Sequence, residues 1–92
     1  MPRYFFDFYG ADKESILRDS VGSECSGRAE VREEAMHALP ALAKDKVPQD
    51  GDTQAFTVSV RNEMNVTVYT ATLTYAGIWF GEDIPPVEEL SD

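Results

Sequence analysis

Between Arg3 and Tyr9 the chain alternates. Tyr4, Phe6 and Phe8 fall on one side of an extended backbone, and Arg3, Phe5, Asp7 and Tyr9 on the other. Aromatic residues at this period predict a strand with a buried aromatic face and a mixed, half-exposed one. Gly10 to Lys13 reads as a turn. Ser15 to Asp19 is a weaker strand that can pair back on the first as a hairpin, and Gly22 ends the pattern. The period then changes. From Gly27 to about Lys46, Val31, Ala35, Leu39 and Leu42 recur at intervals of four, four and three, with Ala38 and Ala43 beside them. This stripe predicts a helix with one apolar face. Ser26 is its expected N-cap. Glu30, Glu33 and Glu34 lie toward its start and Lys44 and Lys46 toward its end, as the helix dipole favours. Pro40 removes a backbone donor and crowds the preceding turn, so it kinks this helix or splits it in two.

Alternation returns at Gln54 to Arg61, with Phe56, Val58 and Val60 inward, and again at Val66 to Tyr75, with Tyr69, Ala71, Leu73 and Tyr75 on one face. Between them Asn62 to Asn65 is a turn in which Asn65 can take the left-handed conformation, so the pair reads as a hairpin. Ile78-Trp79-Phe80 is a short apolar patch that pairs as a last strand or tucks onto the domain. The order β-β-α-β-β, with a possible short fifth strand, predicts a two-layer α+β fold: an antiparallel sheet of about four strands with one long helix on one face. Residues 1–80 form one domain on this reading, and residues 81–92, with Pro85-Pro86 and clustered acids, form an acidic tail.

Composition narrows the function classes. The 92 residues suffice for a single domain with a thin core. Seventeen acids against eight bases give a net charge of −9. Residues 1–76 hold 12 of the acids and all eight bases, and five acids follow with no base. This field repels nucleic-acid backbones and anionic membranes, and favours a basic protein partner, a cation or plain solubility. The single cysteine, Cys25, cannot form an intrachain disulfide. The opening has no apolar run of the signal-peptide kind, and no stretch approaches a membrane span. A cytoplasmic protein is expected. There is no Gly-rich phosphate loop, no nucleophile elbow and no metal-finger spacing.

Four groups of residues invite a chemical reading. Glu34 and His37 form a Glu-x-x-His pair at helical spacing, the arrangement that presents carboxylate and imidazole to one metal ion in four-helix metal proteins. A single helix cannot supply the remaining ligands, and a solvated face with a lone histidine is the plainer reading. Cys25 sits before the helix start, where the dipole can activate a thiol, yet no histidine partner is evident. A small residue anchoring the helix start is preferred. Asp7, Asp19 and Glu24 would converge if the first two strands pair, as a cation site or an acid–base set, against the simpler expectation of separate surface carboxylates. The aromatics from Tyr4 to Tyr9 resemble base-stacking strands, but without the basic surroundings such sheets carry, so they are assigned to the core.

The opening Met-Pro-Arg-Tyr-Phe-Phe resembles that of a rhizobial-type family of small bacterial proteins of unknown function. Asp19-Ser20-Val21-Gly22-Ser23-Glu24, Arg32-Glu33-Glu34-Ala35 and Val60-Arg61-Asn62-Glu63-Met64-Asn65 extend the likeness over residues 1–75. Asp7 stands where the family usually has histidine, and Asn65 where it has a turn glycine. The resemblance implies the fold and a bacterial host of the soil and plant-associated kind, and brings no established activity.

No catalytic residue and no cofactor is assigned. The leading expectation is a non-catalytic interaction or accessory module, a homodimer or a binder of another protein, with Phe5, Tyr9 and Trp79 as its interaction surface. The alternatives are an antitoxin-like or acidic mimic protein covering a basic partner, and a metal protein or small enzyme using Glu34 and His37 or the surface carboxylates.

Overall fold

The first aromatic alternation becomes β1, Arg3–Tyr9, in a computed structural model that describes residues 1–49 and 51–81. The acidic tail therefore lies outside the described residues, Gly81 excepted. The remaining elements are β2 (Ser15–Leu17), β3 (Ser23–Glu24), α1 (Arg28–Lys46) with a 3-10 turn at Val47–Gln49, β4 (Thr53–Arg61) and β5 (Thr67–Ala76). All pairings are antiparallel and the sheet order is β2-β1-β4-β5, with β3 also pairing with β1. The α+β reading holds, with five strands.

The core forms where the two periods meet. Phe6 and Phe8 of β1 and Phe56, Val58 and Val60 of β4 turn one face toward Val31, Ala35, Leu39 and Ala43 of α1. Val58 and Val60 are 0% exposed. Leu42, expected in the stripe, is only half-buried, and Ala43 is buried in its row. Gln54 extends the inward row of β4 and is buried although polar. Its side-chain amide donates to the carbonyls of Val47 (2.9 Å) and Gly51 (2.8 Å), which ties the end of the helical segment to the sheet and satisfies the buried group.

Local chemistry explains where the elements start and stop. Ser26 is not the N-cap. Gly27 holds that position with no side-chain cap, and the Ser26 N–H donates to the Glu30 carboxylate instead, which places the acid at the positive end of the helix. The helix is not split at Pro40, which lies on an exposed position within it. In the turn before β5 the Asn62 side-chain oxygen accepts from Met64 N (2.9 Å) and Val66 N (3.0 Å), and Asn65 takes φ 65° as glycine would. A bulge follows: Val60 faces Tyr69 and Arg61 faces Thr67, so Val68 is the extra residue. Ile78-Trp79-Phe80 forms no strand and is exposed, Trp79 at 68%.

The Ser15–Asp19 strand is shorter than expected. Leu17 pairs with Phe8 and Glu24 with Arg3, so one chain segment runs antiparallel along β1. Between these two short pairings residues 18–22 leave the edge and fold over the outer face of the sheet, the face away from α1.

Candidate functional site

Two of the three proposed carboxylates meet under that segment, and Asp7 is not half-exposed as alternation suggested. It is 3% exposed. Asp7 lies on the outer face of β1, diagonal to Arg61 of β4, which is paired with Phe5. Arg61 donates from Nε to Asp7 Oδ2 at 2.7 Å and from Nη2 to Oδ1 at 3.3 Å. Its Nη2 also donates to the Asp19 carbonyl at 2.8 Å, while the Asp19 N–H donates to Asp7 Oδ1 at 2.9 Å. The guanidinium carbon stands 4.8 Å from the Phe5 ring centroid, a cation–π contact. The hydrogen bond to Asp7 holds the Arg61 proton more firmly than usual.

The Asp19 side chain completes the arrangement. Its Oδ2 accepts from the Phe6 N–H (3.1 Å) and its Oδ1 from Val21 N (3.0 Å) and Gly22 N (2.9 Å). The Phe6 N–H belongs to a strand that lacks a neighbour at this point, so a carboxylate takes the bond a partner strand would have accepted. Glu24 does not join. It pairs with Arg3 at 3.2 Å, and Arg3 also donates to the Val21 carbonyl at 3.1 Å. A cation or acid–base role for Asp7, Asp19 and Glu24 is not what this geometry offers. The guanidinium already neutralises Asp7, Asp7 and Asp19 spend their carboxylate oxygens on protein donors, and Asp7 is buried.

Burial pushes the Asp19 carboxyl up, but the backbone donors of Gly22, Phe6 and Val21, with the charge of Arg61, pull it down further, to below the usual 3.8. A lowered folded pKa means stability that is fully present above the unfolded value and is lost as pH falls through the folded one. The urea midpoint should therefore hold from neutrality down to about pH 4 and then fall. Asp19→Asn should be less stable at neutral pH and flatter on the acid side. An unchanged acid slope in that variant would show that other carboxylates cause the decline.

The helix places Glu34 and His37 on exposed positions, where they line a shallow hollow of about 300 Å³ with Glu24, Cys25, Glu30 and Glu33. Among the described residues no group of three or more His, Cys, Asp or Glu is placed to hold a metal ion. Cys25 is buried at 3% exposure, and burial, then Glu30 and Glu34, push its thiol up, away from a reactive thiolate.

The expected interaction residues are spread out. Phe5 is half-buried beneath Arg61, Tyr9 is half-buried on the outer face, and β4 separates their strand from β5, which leads into Trp79. A different surface is more coherent. Among the described residues β5 is the longest strand and has β4 on one side only, so every second residue presents along its other edge an N–H and a C=O that no described strand takes up. From Met64 to Gly81 the chain carries no charged residue, in a protein that is 27% charged. Proteins usually blunt such an edge with lysine, proline or a covering loop. Beside it Met36, Leu39 and Pro40 of α1 and Ala71 and Leu73 of β5 line an apolar groove of about 220 Å³. Met36 and Leu73 are 54% and 38% exposed.

Among the described residues no helix is long and apolar enough to cross a membrane. The family model of a domain of unknown function (DUF6894) matches residues 3–74, nearly the span over which the opening and the later segments show their likeness. No curated protein and no solved structure matches the chain.

Proposed function

Because the chain belongs to the DUF6894 family, a domain of unknown function, its own surfaces must supply the reading, and we propose a non-catalytic interaction module that takes an extended partner segment on the free edge of β5. The observation that carries this is the coincidence of a ten-residue strand edge, unpaired among the described residues, with the charge-free run of the sequence. Backbone groups on the edge give affinity to any extended chain, and the groove beside Leu73 and Met36 gives a socket for an apolar side chain. The buried ion pair of Asp7 and Arg61 acts as the clasp of this scaffold. A cytoplasmic location in a bacterial host belongs to the same proposal, supported by the one free cysteine and the Met-Pro-Arg-Tyr-Phe-Phe opening.

The test is a photo-crosslinking amino acid placed at Thr72 on β5 or, as control, at Arg18 beyond β2, with the protein expressed in its own host. Adducts at Thr72 and none at Arg18 are expected. No adduct at Thr72, with itself or with any other protein, would sink the reading.

A second reading, an acidic mimic or antitoxin-like protein that covers a basic partner, is favoured by the grouping of Glu24, Glu30, Glu33 and Glu34 around one hollow. It requires capture of a basic protein that is lost as salt rises. Capture that survives high salt points back to the β5 edge.

A further inference from the structure

We infer that the strand added to β5 is the β5 of a second copy, paired antiparallel about a two-fold axis perpendicular to the sheet. This rests on the reading of the edge as an interaction surface and names the occupant. The argument begins with charge. Each copy carries a net charge of −9, so two copies repel one another at long range. The strip from Met64 to Gly81 is the place where they can approach with no charge on either side. The same neutrality selects against other occupants. A basic segment would find no carboxylate along the strip, and an acidic one would meet the repulsion of the body. The partner of matching chemistry is long, extended and uncharged, which describes β5 itself, TVYTATLTYA.

Geometry agrees. A two-fold perpendicular to the sheet reverses strand direction and preserves faces, so antiparallel pairing joins inner-face residues to inner-face residues. Tyr69, Ala71 and Leu73 of each copy then meet on the helix side, and Thr70, Thr72 and Thr74 meet on the other, where threonine pairs across strands are favourable. Both helices lie on one face of a continuous sheet. The two apolar grooves lined by Met36, Pro40 and Leu73 adjoin beneath the junction, so the side chains that one chain leaves half-covered complete each other's burial. An edge pairing that also closes an apolar groove is an isologous interface, in which one surface patch serves both sides.

The experiment is solution mass by light scattering and sedimentation equilibrium across a range of concentrations at physiological salt. The wild type is expected to run at twice its 10.3 kDa chain mass. Leu73→Lys places like charges across the junction and should raise the dimer dissociation constant by roughly a hundredfold or more. Leu73 is already 38% exposed in the single chain, so the variant should keep its circular dichroism, while its melting temperature should lose the concentration dependence that a dimer gives the wild type. Leu73→Glu should behave alike, and mixing the two variants should restore dimers, because opposite charges then face each other directly or on the diagonal. A wild type that stays at 10.3 kDa overturns the second copy, as does a Leu73→Lys protein that remains dimeric. With a monomeric wild type, an adduct to another protein at Thr72 would keep strand addition alive, and no adduct at all would end both.

Discussion

Asp7→Ala will lower the stability of the fold by about 3 kcal/mol, the size expected when one partner of a buried ion pair is removed. The substitution deletes the acceptor of two Arg61 bonds and of the Asp19 N–H, at a site where the native side chain is 3% exposed. It leaves a guanidinium and an amide beneath residues 18–22 without their acceptor. A chain of this size has roughly 5–14 kcal/mol in total, so the loss is a large share of what holds it folded. Asp7→Asn should lose nearly as much, since its amide turns a donor toward Arg61 where an acceptor is required. The pair Asp7→Leu with Arg61→Met should recover much of the stability, because the cost lies in leaving one partner behind rather than in lacking the pair. Urea unfolding at neutral pH reads all three. A loss below about 1 kcal/mol for Asp7→Ala would mean that residues 18–22 are held by something else.

Gly22→Ala is the second large effect. Gly22 has φ +82°, a region that costs an alanine roughly 1–2 kcal/mol. A Cβ there would lie 2.8 Å from Cγ of Arg3 and 2.9 Å from Cε2 of Phe5, so both must move. Phe5 is held under Arg61, and Arg3 is engaged with Glu24 and the Val21 carbonyl, so neither yields without breaking a contact. The Gly22 N–H is also one of the three donors on Asp19. A melting-temperature drop of roughly 10–20 °C is expected. Gly27→Ala is the control: its backbone is extended and an added Cβ would meet nothing within 4 Å, so its melting point should barely change. Equal effects at the two positions would remove the role assigned to Gly22.

The elements with a repeated period were legible in the sequence. The aromatic row of β1, the four-four interval of α1 and the alternations of β4 and β5 each bury one face, and burial of one face is what a period encodes. What alternation cannot say is whether the opposite face is covered. Asp7 was placed correctly on the outer side of β1, but its burial comes from residues 18–22, a segment with no period of its own. Arg61 is the only Lys or Arg after Lys46, and a lone base in so acidic a stretch is the one sequence signal for its ion pair with Asp7. The N-cap moved from Ser26 to Gly27 because Glu30 took the Ser26 N–H, a choice between neighbouring residues that composition does not decide. Which strand bears the exposed edge is not legible for another reason: edge or centre is a matter of strand order, and strand order follows from long-range pairing. Its charge-free run was visible all along, and only the order β2-β1-β4-β5 gives it meaning.

The two borders of the sheet are unlike. On the β1 side the neighbouring segment is two short stretches, and between them the Asp19 carboxylate occupies the hydrogen-bonding position of a strand. An incoming chain finds no continuous row of free groups there. A sheet that can be extended from one border only has a limit written into it. Once that border is used, the described residues offer only the short stretches of β2 and β3, too short to template a long strand, and growth into a ribbon or fibre stops at the first step. The Asp19 carboxylate thereby acts as a terminator on the β1 side, and a protein with a long, uncharged strand can remain a discrete particle.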